Sequence, residues 1–229
     1  MFGFGEVKRP QAVAFDVIGT LFPLEPLRPR VIALGMPPAG LESWFAAALR
    51  DAFALAAAGD FVPFADVLDA SLAGMLAEQG LEASAAERRE VIAAIDRLSV
   101  RPGAAEAFGL LHEAGVPAVA LTNGARSVTR TLLDRADLRV AHLVSVEDVR
   151  AYKPRAEVYR HAAGQAGVEA HALALVAAHG WDVNGAAAAG LVTGYLSAER
   201  PFPPVMRPPD VEAPTLPDCV RALLALPAR

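Results

Sequence analysis

The chain has 229 residues, which is enough to bury a sizeable core, and 54% hydrophobic with 21% charged residues is a globular composition. The formal net charge is −5, without a basic stripe or polybasic helix, so we expect neither nucleic acid nor a membrane surface as a partner. The only cysteine, Cys219, leaves no intrachain disulfide to form. With no secretory pattern or long apolar run, we predict a cytoplasmic protein.

The first predicted strand is the apolar run 12–15, which ends at Asp16 and leads into a tight loop containing Gly19. From 41 to 98 the pattern becomes helical, and no strand signal interrupts it. Within this block three capping residues are predicted, namely the C-caps Gly59 and Gly80 and the N-cap Ser84. The block is therefore predicted to be an all-helical insertion.

Helices and strands then alternate to residue 196. Helices are predicted at 104–115, 125–137, 155–167 and 184–190, and strands at 116–122, 142–146, 172–178 and 191–196. Apolar strands separated by helices predict a parallel sheet with helices on both faces, which is a doubly wound α/β fold. The proline-rich segment 200–217 is predicted to be a long surface connection before a last helix at 218–226.

Polar residues collect where four of these strands end. They are Asp16 with Thr20, Thr122 with Asn123, Lys153, and Asp182. Each alone has an ordinary explanation, since such residues also cap helices and close turns. Because ligands bind at the carboxyl ends of parallel strands, their joint occurrence there predicts an active site.

The four segments that carry these residues resemble the motifs of the haloacid dehalogenase superfamily. They read FDVIGTLF (15–22), LTNG (121–124), YKPRAEVY (152–159) and HGWDVNGAAAAG (179–190). Within the superfamily the chain is most similar to the L-2-haloacid dehalogenase (type II) branch. The resemblance implies a Rossmann-like core domain at 1–23 and 99–229, with a helical cap domain at 24–98 inserted after the first strand.

The rival activity within the superfamily is a phosphatase, and two positions weigh against it. Phosphatases of this type protonate the leaving oxygen with a second aspartate, whereas this chain has Ile18 there. They also hold Mg²⁺ with an acidic pair that would correspond to Ala178 and Asp182, so one carboxylate is missing. A halide leaves as a stable anion and needs neither group. We therefore predict no metal and no cofactor.

The resemblance implies covalent catalysis on a short 2-halo acid. Asp16 would displace the halide from C2 and form an ester, which water would hydrolyse to a 2-hydroxy acid of inverted configuration. Lys153 would keep Asp16 ionised, and Thr20 would donate a hydrogen bond to it. Asp182 would orient or activate the hydrolytic water.

The resemblance also assigns binding roles. Arg50 on the first cap helix would anchor the halide and substrate, Thr122 would contact the substrate carboxylate, and Asn123 the departing halide. Tyr159 would donate a hydrogen bond within the site. Aromatic residues are candidates for pocket walls, although core packing is the more ordinary role for each; they are Phe22, Trp44, Phe45, Phe61, Phe64 and Trp181.

Three positions depart from the branch, which usually has Tyr, Ser and Asn where this chain has Ile18, Ala177 and His179. His179 is predicted to replace the lost polar groups as a water-orienting donor or proton carrier.

Two alternatives to the dehalogenase stay open at this point. One is a phosphatase acting on a small phosphorylated metabolite, and the other is a non-catalytic binding protein on the same fold, supported by the three departures. The expected partner is a small halo-acid. The resemblance further implies a homodimer through the apolar cap.

Overall fold

The computed structural model describes residues 7–228. Its centre is a six-stranded, all-parallel sheet with the strand order β3-β2-β1-β4-β5-β6. The strands are β1 (Ala12–Asp16), β2 (Ala118–Thr122), β3 (His142–Ser145), β4 (Leu173–Ala177), β5 (Val192–Leu196) and β6 (Val211–Ala213). The predicted parallel α/β sheet is thus confirmed.

Helices connect these strands. They are α1 (Arg28–Ala33), α2 (Gly40–Ala58), α3 (Phe64–Glu78), α4 (Ala85–Ala93), α5 (Ala104–Glu113), α6 (Arg126–Arg135), α7 (Ala156–Gln165), α8 (Gly180–Ala189) and α9 (Leu216–Leu224). The chain builds the sheet outward from β1 through β2 to β3, then returns to place β4 on the other side of β1. Because crossovers between parallel strands are right-handed, this reversal puts helices on opposite faces of the sheet.

The reversal places β1 between β2 and β4, with all five of its residues buried. Asp16 is in register with Leu121 of β2, and Phe15 with Val176 of β4. Consequently the carboxyl ends of these three strands lie side by side. Such a switch point is where open α/β sheets bind their ligands.

The segment between β1 and α5 is helical throughout its regular structure, as predicted. Helices α2 and α3 pack together, and the buried Trp44 donates a hydrogen bond from Nε1 to the carbonyl of Leu68, at 2.9 Å. Ser84 and Glu87 form the predicted capping box at the start of α4, and Gly59 ends α2 in the left-handed conformation. The domain boundaries at 23/24 and 98/99 stay a prediction.

The helical segment contacts the loop between β3 and α7, which leads from the sheet edge. The Tyr152 hydroxyl donates to the carbonyl of Val62, and its ring lies 5.0 Å from that of Phe61. Arg155 donates to the carbonyl of Ala56 at 3.1 Å. The helical segment therefore borders the edge at which the strands end.

Three predicted elements need correction at the carboxyl-terminal end. The segment 200–217 is not only a connection, because Val211–Ala213 forms the edge strand β6 beside β5. Asp210 secures it by accepting hydrogen bonds from the backbone and hydroxyl of Thr193, at 2.8 and 2.9 Å. The last helix begins at Leu216, after the N-cap Thr215, rather than at 218. Helix α8 begins at Gly180, four residues before the predicted start.

None of the helices within residues 7–228 has the length and hydropathy needed to cross a bilayer.

Candidate active site

Asp16 is the last residue of β1, and the loop after it folds back on the strand end. The backbone N–H of Leu21 donates to the carbonyl of Asp16 at 3.3 Å, and that of Gly19 to the carbonyl of Phe22 at 2.8 Å. Gly19 has φ +88°, a conformation that other residues adopt only with strain. A Cβ at position 19 would also lie 2.6 Å from Cε1 of His179. A tight loop thus presents the Asp16 carboxylate beside an imidazole.

Three side chains donate to the Asp16 carboxylate. Lys153 Nζ lies 2.7 Å from Oδ1, whereas Thr20 Oγ1 and His179 Nδ1 lie 2.6 and 2.9 Å from Oδ2. Asp16 is almost fully buried. An ionised carboxylate accepts hydrogen bonds and donates none, so His179 presents an N–H at Nδ1 to it.

Lys153 lies at the centre of the cluster and is completely buried. Its ammonium donates to Asp16, to Asp182 Oδ2 at 2.6 Å and to the carbonyl of Leu121 at 3.2 Å. An ammonium has three hydrogens, so each one has an acceptor. The single cation therefore joins two carboxylates from different strands.

The charges in this cluster set the protonation states of its members. Burial alone raises the pKa of Asp16, but the Lys153 ammonium and the His179 hydrogen bond outweigh it and hold the pKa well below its ordinary value. Burial would lower the pKa of Lys153, yet the two carboxylates raise it. Asp16 is consequently ionised and Lys153 charged.

Asp182 lies in the first turn of α8 and is completely buried. Its Oδ2 accepts from Lys153, and its Oδ1 accepts from the Tyr159 hydroxyl at 2.6 Å. Burial, joined by the charge of Asp16, raises the pKa of Asp182. The ordinary alternative role of Asp182 as a helix N-cap is wrong, because the N-cap of α8 is His179.

Tyr159 is brought to Asp182 by the close approach of α7 and α8. A Cβ at Gly185 would lie 2.6 Å from the Tyr159 hydroxyl and 2.5 Å from Cβ of Pro154. Glycine at this position therefore lets the two helices approach until the hydroxyl reaches the carboxylate. Burial, with the adjacent Asp182, raises the pKa of Tyr159 well above its ordinary value, so it donates.

Thr122 and Asn123 follow β2 at the same edge. The Thr122 hydroxyl accepts from the backbone N–H of Gly124 at 2.9 Å and keeps its own hydrogen to donate. Asn123 Oδ1 accepts from the backbone N–H of Lys153 at 3.0 Å, but its Nδ2 is buried and has no partner among the described residues. A buried donor without an acceptor costs free energy, which is typical of a ligand site.

Trp181 supplies a second donor of this kind. Its Nε1 is buried and lacks a partner within the described part of the chain. The indole ring lies 5.7 Å from Lys153 Nζ and stacks on His179 at 5.5 Å. Two neutral N–H donors therefore lie near the ammonium that holds Asp16.

The prediction that Arg50 lies in the site is wrong. Its side chain is 74% exposed and pairs with Asp51 at 2.9 Å. On α2 the buried face includes Leu49 and Ala52, so Arg50 points elsewhere. The other predicted site residues lie together around Lys153.

Aromatic rings of α2 take the place predicted for the arginine. Phe45 lies 6.0 Å from His179, and Phe53 lies 5.2 Å from Trp181, between ring centroids. Of the predicted wall residues, Phe45 and Trp181 contact this cluster, whereas Trp44 packs on α3. The prediction did not include Phe53, although it falls on the same helix.

Arg101 was also missed. Its guanidinium donates to the carbonyls of Thr20 at 2.6 Å and Gly19 at 3.1 Å, and it pairs with Glu199 at 2.6 Å. The sequence around it, Arg-Pro-Gly, indicated only a turn. Arg101 thus ties the nucleophile loop to the chain after β5.

A family model for haloacid dehalogenase-like hydrolases matches residues 10–190. The chain therefore belongs to the haloacid dehalogenase-like hydrolase family.

Particular relatives are more distant. An (S)-2-haloacid dehalogenase of Pseudomonas sp. (strain YL) is 26% identical over 212 residues, covering 90% of this chain and 91% of the relative. One from Xanthobacter autotrophicus is 28% identical over 181 residues, covering 77% and 70%. A solved L-2-haloacid dehalogenase from Xanthobacter autotrophicus, with chloropropionic acid covalently bound, has a TM-score of 0.86 at 23% identity and covers 95% of this chain and 99% of that one.

The magnesium of the family's phosphatases does not fit this residue set. Position 178 is an alanine, whose backbone N–H donates to Thr20 Oγ1 at 2.9 Å. The Lys153 ammonium bridges Asp16 and Asp182, where a divalent cation would require both carboxylates. Within residues 7–228, no three Asp, Glu, His or Cys side chains group as metal ligands.

Proposed function

We propose that this protein hydrolyses short 2-haloalkanoic acids to 2-hydroxy acids through an aspartyl ester on Asp16. The observation that carries the proposal is the ionised Asp16 carboxylate, oriented by Lys153 at 2.7 Å and Thr20 at 2.6 Å. Ile18 follows it where a phosphatase would carry its acid. Such a carboxylate can attack carbon, and a halide leaves without a proton.

In the first step, Asp16 Oδ2 attacks C2 of the substrate in line with the carbon–halogen bond. A C–O bond forms, the C–X bond breaks, and the halide leaves with the electron pair. Oδ2 is the attacking oxygen because Oδ1 faces the fully buried Lys153, whereas Oδ2 faces the partly exposed His179. Orientation and partial desolvation together make a weak nucleophile effective.

The halide and the substrate carboxylate need donors of their own. Asn123 Nδ2 and Trp181 Nε1 are buried without acceptors, which supports a role in holding the departing halide. Thr122 retains a hydroxyl hydrogen for the substrate carboxylate. Asp182 and Tyr159 hold the ammonium of Lys153 in place from the far side.

The relatives support the substrate class. Those named (S)-2-haloacid dehalogenase align over most of both chains, and the structural neighbour carries chloropropionic acid covalently bound.

Halide release separates this proposal from its rivals. The protein is assayed with L-2-chloropropionate, with and without EDTA, and with p-nitrophenyl phosphate plus Mg²⁺. We expect halide release that EDTA leaves unchanged, and no halide release by Asp16→Asn. Phosphate release that depends on Mg²⁺, without halide, would establish the phosphatase instead. No turnover of either, with Asp16→Asn folding as the wild type does, would favour the binding protein.

Location and assembly complete the proposal. We place the enzyme in the cytoplasm, which is consistent with its lone, buried Cys219. We propose a homodimer through the helical segment, where an apolar groove between α2 and α3 is lined by Leu55, Val62 and Val67. Light scattering after size exclusion measures the assembly.

A further inference from the structure

The second step of the proposed reaction needs a base, and the buried groups of the cluster are already engaged. Asp182 is completely buried, with one oxygen on Lys153 and the other on Tyr159. All three hydrogens of the Lys153 ammonium have acceptors. A water that attacks the ester on Asp16 therefore has to give its proton to another group.

His179 is the remaining titratable side chain that contacts Asp16 among the described residues. Its imidazole is 19% exposed, so water reaches it, unlike Asp182. The ring is fixed from two sides, because it stacks on Trp181 at 5.5 Å and lies so close to Gly19 that a Cβ there would be 2.6 Å away. Nδ1 is held 2.9 Å from Asp16 Oδ2, the oxygen that forms the ester.

We propose that His179 is the catalytic base that activates water for hydrolysis of the Asp16 ester. This inference rests on the proposed dehalogenase function and assigns the second of its two steps. It takes the water-activating role that the sequence suggested for Asp182 and gives it to the imidazole.

The same hydrogen bond explains why His179 does not act too early. While Asp16 is a carboxylate, it accepts the Nδ1–H and keeps the proton on that nitrogen. Alkylation of Oδ2 removes the negative charge, so the proton can move to Nε2 and Nδ1 becomes a lone-pair acceptor. The imidazole is thus a donor during attack on the substrate and a base during hydrolysis.

The hydrolysis then balances as follows. Water oxygen bonds to Cγ of Asp16 as Nδ1 of His179 takes one water proton. Lys153 stabilises the charge that develops on Oδ1. The bond between Cγ and Oδ2 breaks, Oδ2 leaves with C2 as the alkoxide of the product, and His179 returns the proton to it. The new carboxylic acid on residue 16 releases its remaining proton to solvent.

The test uses two variants of the full-length enzyme with L-2-bromopropionate. His179→Asn keeps an N–H that can reach Asp16 but carries no base, and His179→Ala leaves room for added imidazole. We expect each to release about one halide per enzyme in a rapid burst, after which turnover falls about 10²–10⁴-fold, the usual contribution of a general base. The Asp16 peptide gains the mass of the substrate without its halogen. Imidazole restores turnover to His179→Ala.

His112→Ala is the matched control, since His112 is an exposed histidine on α5. It should turn over as the wild type does. Loss of the burst together with turnover in a folded His179→Asn would place His179 in the first step and overturn the inference, as would undiminished turnover. If instead the wild type releases no halide, the proposed function itself has failed.

Discussion

The two sides of the candidate site are built from different chemistry. The sheet side carries charges that satisfy one another, with Asp16, Lys153 and Asp182 joined by bonds of 2.6 to 2.7 Å and almost completely buried. The helical side carries rings, with Phe45 beside His179 and Phe53 beside Trp181. The one arginine predicted to cross between them faces solvent.

This difference divides the work of the proposed reaction. The sheet side cannot change without leaving a buried charge unpaired, so it fixes the nucleophile and its protonation state. The helical side is apolar and excludes water, and it can change in shape without disturbing any charge. Substrate choice therefore belongs to the rings, whereas the chemistry belongs to the strand ends.

The largest effect is expected from Lys153→Met. The substitution leaves Asp16 and Asp182 buried without their shared cation, and breaking such a pair costs about 3–5 kcal/mol of unfolding free energy. Urea denaturation followed by circular dichroism measures it, and halide release should be lost.

The control for that measurement is a surface ion pair. Arg221 pairs with Asp218 at 3.1 Å, with both side chains about half exposed, so Arg221→Met should cost about 0–1 kcal/mol. If Lys153→Met cost no more than Arg221→Met, the buried cluster would not be the charged network described above.

The next effect compares one substitution in both regions. Gly19 has φ +88° and Gly59 has φ +83°, so replacement by alanine strains each backbone by roughly 1–2 kcal/mol. At Gly59 the new Cβ meets nothing within 4 Å, whereas at Gly19 it meets the His179 ring. We expect similar losses of unfolding free energy, but a fall in turnover of at least about 10-fold for Gly19→Ala alone, since one kcal/mol or more of misplacement reaches the reaction.

Steady-state halide release and urea denaturation on both variants give the comparison. Equal turnover by Gly19→Ala and Gly59→Ala would mean that the imidazole can move away from position 19 without consequence. The proposed role of His179 would then lose its geometric support.

Much of the fold could be predicted because buried strands are short apolar runs. Strand β1 and its partners are buried on both faces, and such runs are recognisable without knowledge of their neighbours. Strand β6 could not be recognised in this way. It has three residues, Val211–Ala213, within a proline-rich segment, and it exists because β5 offers an unpaired edge.

The same distinction applies to the candidate site. Strand ends meet at one edge, so the proximity of Asp16, Lys153 and Asp182 was accessible from the order of the strands. Arg101 reaches the nucleophile loop across 81 residues of chain, and no local pattern marks such a contact. The error at Arg50 has a similar cause, because the packing of α2 on its neighbours decides which of its residues face inward.

The smallest effect tests the helical side directly. Arg50→Ala should leave kcat and KM for L-2-chloropropionate within about 2-fold of the wild type, because the guanidinium is 74% exposed and pairs with Asp51. Phe53→Ala, on the same helix, removes the ring packed on Trp181, and the loss of an aromatic pair of about 0.5–1.5 kcal/mol should raise KM by up to about 10-fold. Measuring both constants for both variants distinguishes a wall of rings from a charged anchor. A large rise in KM for Arg50→Ala, with Phe53→Ala unchanged, would mean that α2 turns its arginine toward bound substrate, and the division between a charged sheet side and an apolar helical side would have to be abandoned.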